Sequence, residues 1–239
     1  MEVVTDGIVL KARPYGERDM ILTLLTPEHG RITVLARSVG KNKKQSVLYA
    51  QNFVFSHYVL FKGKGMYVVN SADVEESFYG LRQDISRLAL AQYFADVAAK
   101  SGEENDAAAL CSLLLNSLYL LSSTEIDERL IKLVFETKYC MIEGVFPEVL
   151  CSRCEKEPVK WSFKDGFCCE DCGNGYPITP GMISALRHIS KNEGKKAYLF
   201  SMNEDSVHYL SKLLSDYVSF VTDTDFPSLE YYRSLRISL

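Results

Sequence analysis

Two pairs of closely spaced cysteines constrain this chain more than any other feature of its sequence. Cys151 pairs with Cys154 and Cys169 with Cys172, each with the spacing Cys-x-x-Cys. Zinc prefers four tetrahedral ligands and binds thiolates well, so two such pairs at this separation are typical of one zinc site. Disulfides or free thiols are the alternative. The residues between the pairs alternate in polarity and are expected to form a small hairpin.

Four thiolates fill the coordination sphere of a structural zinc ion, whereas a catalytic zinc keeps one position open. The stretch between the pairs contains no histidine, because the four histidines are His29, His57, His188 and His208. We therefore predict a structural Zn²⁺ bound by Cys151, Cys154, Cys169 and Cys172. Cys168 is a spare thiol or a substitute ligand.

The start of the chain contains no signal peptide pattern, because Glu2, Asp6 and the charged run from Lys11 to Asp19 interrupt any apolar stretch. No segment approaches the roughly eighteen uninterrupted apolar residues of a transmembrane helix. With a cysteine pattern of the zinc type, these features favour a reducing cytoplasm.

Charge is distributed unevenly along the chain. The formal net charge is −4, with 27 basic and 31 acidic residues. Residues 7–70 hold ten Lys or Arg and three Asp or Glu, a balance of +7, which leaves 17 basic and 28 acidic residues, or −11, elsewhere. Such asymmetry predicts different partners for the two parts.

The first 76 residues are predicted to form a β-barrel. Short turns separate five segments of strand pattern, at 4–13, 20–26, 31–39, 53–62 and 66–74. Closing so small a sheet removes its edges and buries one face. An OB-fold barrel is the usual five-stranded form, and its faces and loops bind oligonucleotides, while an SH3-like barrel is the alternative. On the fourth segment, Phe53, Phe55, His57, Val59 and Phe61 are expected to share one face.

After residue 76 the apolar residues recur with the spacing of an α-helix. They form two helical blocks, and the cysteine pairs lie between these blocks. We predict an α+β multidomain protein with an OB-fold domain at 1–76, a helical domain at 77–146 and 177–239, and an inserted zinc module at 147–176. Thr179 with Pro180 predicts a helix start, and Asp106 and Asn203 are candidate caps. The segment from Ser228 is expected to be a short helical turn or frayed.

The chain contains no Walker-type phosphate loop, no His-Glu-x-x-His and no Gly-x-Ser-x-Gly motif, so we do not expect an enzyme. Cations at strand ends and in loops can neutralise a phosphate backbone. The predicted DNA-binding residues are Lys11, Arg13, Arg18, Arg31, Arg37, Lys41, Lys43, Lys44, Lys62 and Lys64. Aromatic residues can stack on bases, and the candidates are Tyr15, Phe53, Tyr58, Phe61 and Tyr67. Filling the core is the alternative for these rings, and we favour it for Phe53 and Phe61.

Eight segments together resemble the RecO family of bacterial DNA-repair proteins. They are residues 7–10 (GIVL), 15–19 (YGERD), 25–31 (LTPEHGR), 36–41 (ARSVGK), 144–154 (GVFPEVLCSRC), 166–172 (GFCCEDC), 178–181 (ITPG) and 185–189 (ALRHI). The resemblance spans nearly the whole chain in order. Cys168 departs from the family pattern, which has another kind of residue beside the second cysteine pair.

This resemblance implies a recombination mediator of the cytoplasm and nucleoid that binds single- and double-stranded DNA and anneals complementary strands. It implies that RecR is a partner in loading RecA onto strands coated by the single-stranded-DNA-binding protein SSB. SSB would be bound through its acidic, apolar-tipped tail. Candidate basic residues for that tail are Arg187, His188, Lys191, Lys195 and Lys196. An RNA-binding zinc/OB-fold protein and an adaptor that binds no nucleic acid are the rival interpretations.

Overall fold

A computed structural model describes residues 1–39, 47–102 and 106–237, without the side chains of residues 236 and 237. The chain forms two compact units, one of Met1–Glu125 with Phe226–Leu239 and one of Ile126–Asp225. The division into a barrel, a helical domain and a zinc module stays a prediction, because compactness alone does not show which segments fold independently. None of the helices in the described ranges is long and apolar enough to cross a membrane.

The first unit begins with a closed five-stranded barrel. Its strands are β1 (Glu2–Tyr15), β2 (Asp19–Thr26), β3 (Gly30–Ala36), β4 (Phe55–Lys62) and β5 (Tyr67–Glu76). They are ordered β1-β2-β3-β5-β4, with β4 closing onto β1. All neighbouring pairs are antiparallel except β3 with β5. The predicted OB-type barrel is therefore confirmed.

The barrel interior corrects the prediction for β4. Tyr58 and Leu60 are fully buried in the core with Val9 and Leu22, and the Tyr58 hydroxyl donates to the Tyr49 carbonyl oxygen at 3.0 Å. Phe61, expected in the core, is 45% exposed. The alternation along β4 was identified correctly, but its inward face is the opposite one. Both faces carry apolar residues, so the pattern alone could not assign the interior.

A bulge in β1 changes which residues face outward. The register with β2 runs from Val9↔Leu24 to Lys11↔Thr23 and therefore skips Leu10. Glu2, Val4 and Asp6 occupy the outward phase before the bulge, and Lys11 and Arg13 occupy it afterwards. One strand thus carries acidic residues at one end of its outer surface and basic residues at the other.

Three helices complete the first unit: α1 (Ile85–Ala98), α2 (Ala107–Ser123) and α6 (Pro227–Ile237), with a short 3-10 helix at Tyr79–Gln83. Asp106 caps α2 as predicted, accepting from the Ala109 N–H at 2.9 Å. Helices α1 and α2 contact β1, where Ile8 and Leu10 are buried outside the barrel's own core cluster. The C-terminal segment is an eleven-residue helix that packs on α1, not a short or frayed turn.

The second unit contains α3 (Glu128–Ile142), α4 (Pro180–Lys191) and α5 (Glu204–Thr222), with a 3-10 helix at Gly194–Tyr198. Its small sheet has the order β7 (Gly166–Cys168), β6 (Lys160–Ser162), β8 (Tyr176–Pro177). Thr179 and Asn203 cap α4 and α5 as predicted, through the Met182 and Ser206 N–H groups. Between α3 and α5, the buried Lys132 ammonium donates to Glu136 at 3.1 Å and to the Ser211 carbonyl oxygen at 2.8 Å.

Candidate nucleic-acid interface and cysteine cluster

Lys11 and Arg13 project from the outer surface of the barrel after the β1 bulge. Both are exposed. In the register of β1, β2 and β3, Lys11 pairs with Thr23 and Thr23 with Thr33, whereas Arg13 pairs with the buried Ile21. Two hydroxyl-bearing residues therefore lie in one cross-strand row with the Lys11 ammonium, and Arg13 follows two residues further along β1. We call the part of the outer surface that carries Lys11, Arg13, Thr23 and Thr33 the cationic face. Such a surface can bind phosphate oxygens by charge and by hydrogen bonds.

The loops at the end of β1 and β3 add two more cations. Arg18 lies in the β1–β2 turn and Arg37 follows β3, and both are exposed. Two hydrogen bonds fix this rim: the Val39 N–H donates to the Arg18 carbonyl oxygen at 2.8 Å, and the Ser38 N–H donates to Asp19 at 2.8 Å. The backbone that carries Arg18 is therefore held against the end of β3, while its side chain stays accessible.

Lys62 and Lys64 lie in the tight turn between β4 and β5. Both side chains are exposed, and the Gly63 N–H closes the turn on the Met66 carbonyl oxygen at 3.0 Å. In OB folds, the β1–β2 and β4–β5 loops flank the nucleic-acid-binding face of strands 2 and 3. Arg18, Lys62 and Lys64 therefore occupy the two loops that this fold uses for oligonucleotides.

Of the four remaining predicted DNA-binding residues, one supports the packing of a helix and three lie outside the described residues. Arg31, at the start of β3, donates through its Nη1 atom to the Ala99 carbonyl oxygen just after α1. Its guanidinium therefore already supports the packing of the helix on the barrel. Lys41, Lys43 and Lys44 lie outside the described residues, and their role in DNA binding stays a prediction.

The aromatic residues predicted to stack on bases fall into an exposed group and a buried group. Tyr15, beside the β1–β2 turn, is 54% exposed, and Phe61, near the β4–β5 turn, is 45% exposed. Tyr67 is half-buried beside Val34. Tyr58 and Phe53 are buried, so Tyr58 was wrongly included among the stacking candidates, whereas the core assignment of Phe53 is confirmed. The exposed rings available for base stacking are therefore Tyr15 and Phe61, whereas Tyr67 packs against the barrel core.

The second unit brings the two cysteine pairs together. The Sγ atoms of Cys151, Cys154, Cys169 and Cys172 all lie within 4.8 Å of one another, with 3.6 Å between Cys154 and Cys169 and 3.5 Å between Cys172 and Cys154. A disulfide needs a bond of about 2.05 Å. Four sulfurs at about 2.3 Å from one tetrahedral ion stand about 3.8 Å apart, so the donor set and its spacing fit Zn²⁺.

Backbone hydrogen bonds position these thiols. The first pair is closed by the Glu155 N–H on the Cys151 carbonyl oxygen at 2.8 Å, and Glu155 adopts a left-handed φ of 61°. The second pair follows the β6–β7 hairpin, which is joined to the first pair by the Ser152 N–H and Phe167 carbonyl at 2.8 Å. At the centre of the hairpin, Trp161 is fully buried and stacks on Phe167 with ring centroids 5.0 Å apart.

Electrostatics of the cluster favour a bound cation. The backbone N–H of Cys169, with further N–H groups, stabilises the Cys151 thiolate and lowers its pKa to about 6. Hydrogen bonding with the Cys154 sulfur raises the pKa of Cys172 to about 12. Four sulfurs in contact therefore cannot all ionise without a positive charge among them, and a divalent metal ion supplies that charge.

Cys168 lies outside the cluster, although it is next to Cys169. Its side chain is buried, and its Sγ makes a weak contact of 3.7 Å with the Gly166 carbonyl oxygen. Cys168 is the last residue of β7 and Cys169 follows it. Neighbouring residues of extended backbone point to opposite sides, so only one of the two cysteines can face the other pair. The structure brings Cys169, not Cys168, to the other three sulfurs.

A groove in the second unit was not predicted from the sequence. It has a volume of about 660 Å³, and its apolar lining includes Met141, Phe146 and Val149. Arg187 and Lys191, two of the predicted tail-binding residues, also line it. The Arg187 guanidinium is held by Glu157 at 2.8 and 2.9 Å and by the Val149 carbonyl oxygen. The other three residues are not among its lining: the His188 ring bonds to the Lys196 carbonyl oxygen, and Lys195 and Lys196 lie in the Gly194–Tyr198 3-10 helix.

Comparison with known proteins assigns the chain to one family along nearly its whole length. The model of the recombination protein O N-terminal domain matches residues 1–78, and that of the C-terminal domain matches residues 82–230. The chain is 34% identical to a DNA repair protein RecO of Acetivibrio thermocellus, covering 97% of this chain and 96% of that protein. It is 28% identical to the RecO protein of Alkaliphilus metalliredigens, covering 98% and 100%. The chain belongs to the RecO family of DNA repair proteins.

Proposed function

We propose that this chain is a non-enzymatic recombination mediator that binds single- and double-stranded DNA through the cationic face of its barrel. The observation that carries the proposal is the outward row of Lys11, Thr23 and Thr33, with the exposed Arg13 two residues further along β1. Arg18, Lys62 and Lys64 in the flanking loops extend the positive charge along a bound strand. Membership of a DNA-repair family supports nucleic acid as the ligand.

Strand annealing follows from the same surface without a catalytic base. Two complementary strands repel each other through their phosphates, and a cationic surface screens that repulsion while it raises their local concentration. Tyr15 and Phe61 can hold unpaired bases by stacking, which is independent of sequence. The surface therefore suits transient contact with many sequences rather than recognition of one.

The cysteine cluster has a structural role in this proposal. Zn²⁺ bound by Cys151, Cys154, Cys169 and Cys172 would fix the two ends of the β6–β7 hairpin, and its four thiolates leave no position for substrate. The divalent ion would offset part of the negative charge of the four thiolates and stabilise the second unit. DNA binding at the barrel is then expected to depend on the ion little or not at all.

The proposal also includes three protein partners, SSB, RecR and RecA. The groove lined by Phe146 and Val149 offers an apolar surface to the acidic, apolar-tipped tail of SSB. Lys191 is its basic residue without a carboxylate partner among the described residues, while Arg187 pairs with Glu157, which also lines the groove. Arg187 is pre-oriented by Glu157, and Lys191 is exposed. Together with RecR, the protein would deliver RecA to strands that SSB coats.

Binding of the purified protein to a labelled single-stranded oligonucleotide across a salt series tests the proposal. We expect affinity to fall linearly on logarithmic axes, with a slope of about −0.7 for each phosphate neutralised. An RNA of equal length should compete no better than DNA. A preference for RNA would instead support the RNA-binding alternative, and absence of salt-dependent binding would support an adaptor that binds no nucleic acid.

A further inference from the structure

A second part of the barrel exterior, away from the cationic face, gathers carboxylates around one imidazole. In the register of β1, β4 and β5, Asp6 pairs with His57 and His57 pairs with Asp73. The His57 Nδ1 atom lies 2.7 Å from Asp6 Oδ1, and the two side chains are 44% and 43% exposed. An accessible imidazole therefore lies between two acidic residues on adjacent strands.

A bulge in β5 adds a third carboxylate to this cluster. The β4–β5 register passes from Phe55↔Glu76 to Ser56↔Val74, so Glu75 is the extra residue of the bulge. Bulges re-aim side chains. The ligand atoms of Asp6, His57 and Glu75 all lie within 4.8 Å of one another. The register of β1 with β4 is continuous, so Asp6 and His57 lie opposite each other on a regular ladder. The bulge in β5 then redirects one further side chain, that of Glu75, toward them.

One imidazole nitrogen and two carboxylate oxygens are a metal-ligand set. We propose that Asp6, His57 and Glu75 bind one divalent transition-metal ion, with Mn²⁺ as the best match to a carboxylate-rich site. Adjacent ligands about 2.1 Å from a six-coordinate ion stand about 3 Å apart, so the Asp6 and His57 atoms need to separate by only about 0.3 Å. The remaining positions face solvent and take water or an anionic oxygen.

The ion would also relieve charge repulsion. Asp6 on β1 and Asp73 and Glu75 on β5 flank His57 from the two sides of β4, so several negative charges collect around one imidazole. A bound divalent cation offsets these charges and links β1, β4 and β5. The inference does not rest on the proposed DNA binding, because none of these residues belongs to the cationic face.

Mn²⁺ distinguishes this site from the cysteine cluster. Thiolates favour softer ions, and Zn²⁺ lies above Mn²⁺ in the general order of affinity, so Mn²⁺ does not displace zinc from four cysteines. The experiment therefore uses the full chain loaded with one equivalent of Zn²⁺. Mn²⁺ is titrated in, and the loss of the free-ion electron paramagnetic resonance signal reports binding.

We expect one Mn²⁺ per chain for the unaltered protein. His57→Ala and Glu75→Gln should each weaken binding by about tenfold or more. Both residues are exposed, so the barrel should fold in both variants. His29→Ala, which removes another exposed histidine of the same unit, is the matched control and should bind Mn²⁺ normally. Mn²⁺ should also raise the melting temperature of the unaltered protein but not of His57→Ala.

Three results would overturn the proposal. The first is no bound Mn²⁺ at about 1 mM of the free ion, which corresponds to an interaction too weak to matter. The second is equal binding by the unaltered protein and both site variants. The third is a loss in His29→Ala as large as that in His57→Ala.

Discussion

The cysteine cluster and the cationic face are both suited to charged ligands, but they hold their ligand atoms differently. Four sulfurs lie within 4.8 Å of one another, fixed by backbone hydrogen bonds and a buried hairpin. Lys11 and Arg13 extend from a strand into solvent. A closed, pre-shaped cluster retains one small ion and contributes to stability. An open row of long cations lets a polymer bind, slide and leave, and it contributes little to stability.

Replacing one cluster cysteine should have the largest effect. Cys169→Ser is expected to lose zinc and to lower the melting temperature of the second unit by about 5 °C or more, because three thiolates hold the ion poorly. Zinc content by mass spectrometry and thermal unfolding measure this. Cys168→Ser is the matched control and should keep its zinc. The closed-cluster account fails if Cys168→Ser loses zinc while Cys169→Ser retains it.

Removing two cations from the barrel should weaken DNA binding without lowering stability, whereas the cysteine replacement should lower stability. The double variant Lys11→Ala with Arg13→Ala is expected to bind DNA more weakly and to flatten the salt slope by about 1.4, because each lost phosphate contact on a single strand removes about 0.7. The melting temperature should stay the same, since both side chains are exposed. An unchanged slope would mean that DNA binds elsewhere on the protein.

Removing one aromatic ring beside the β1–β2 turn should weaken DNA binding to a smaller extent, through the loss of base stacking and not of charge. Tyr15→Ala is expected to cost about 1–3 kcal/mol of binding free energy to single-stranded DNA if a base stacks on its ring. The salt slope should not change, because the substitution removes no basic side chain that could neutralise a phosphate. Tyr79→Ala replaces a tyrosine that is 66% exposed and serves as the control. Equal losses in the two variants would argue against stacking at Tyr15.

Replacing Arg31 should have the smallest effect on DNA binding. This residue is a predicted DNA-binding cation, but it also stabilises the packing of a helix on the barrel. Its guanidinium donates to the Ala99 carbonyl oxygen, so Arg31→Ala should destabilise the first unit by about 1 kcal/mol. Its effect on the salt slope should be smaller than that of Lys11→Ala. Urea unfolding and the salt series together measure this, and a larger slope change for Arg31 would return it to the DNA-binding set.

The sequence predicted the cysteine cluster well because its information is local. Two short spacings and a hairpin pattern are sufficient to identify Cys151, Cys154, Cys169 and Cys172. The choice of Cys169 over Cys168 followed from spacing, and the structure agrees. Helix caps at Asp106, Thr179 and Asn203 were predictable for the same reason.

The barrel surface was harder to predict because it depends on register. The bulge at Leu10 reverses the outward phase of β1, and the bulge at Glu75 redirects an acidic side chain. Neither bulge has a sequence signature. On β4, apolar residues on both faces hid the burial of Tyr58 and the exposure of Phe61. The ion pair of Lys132 with Glu136 was not predicted, because its burial depends on the packing of α5 and not on its i,i+4 spacing.

The salt dependence of single-stranded DNA binding, measured side by side for three proteins, tests the central claim most directly. The proteins are the unaltered chain, Cys169→Ser, and Lys11→Ala with Arg13→Ala. We predict the same slope for the first two and a flatter slope for the third. A flatter slope for Cys169→Ser, with no change in the barrel variant, would contradict the account and move DNA binding to the unit that holds the cysteines.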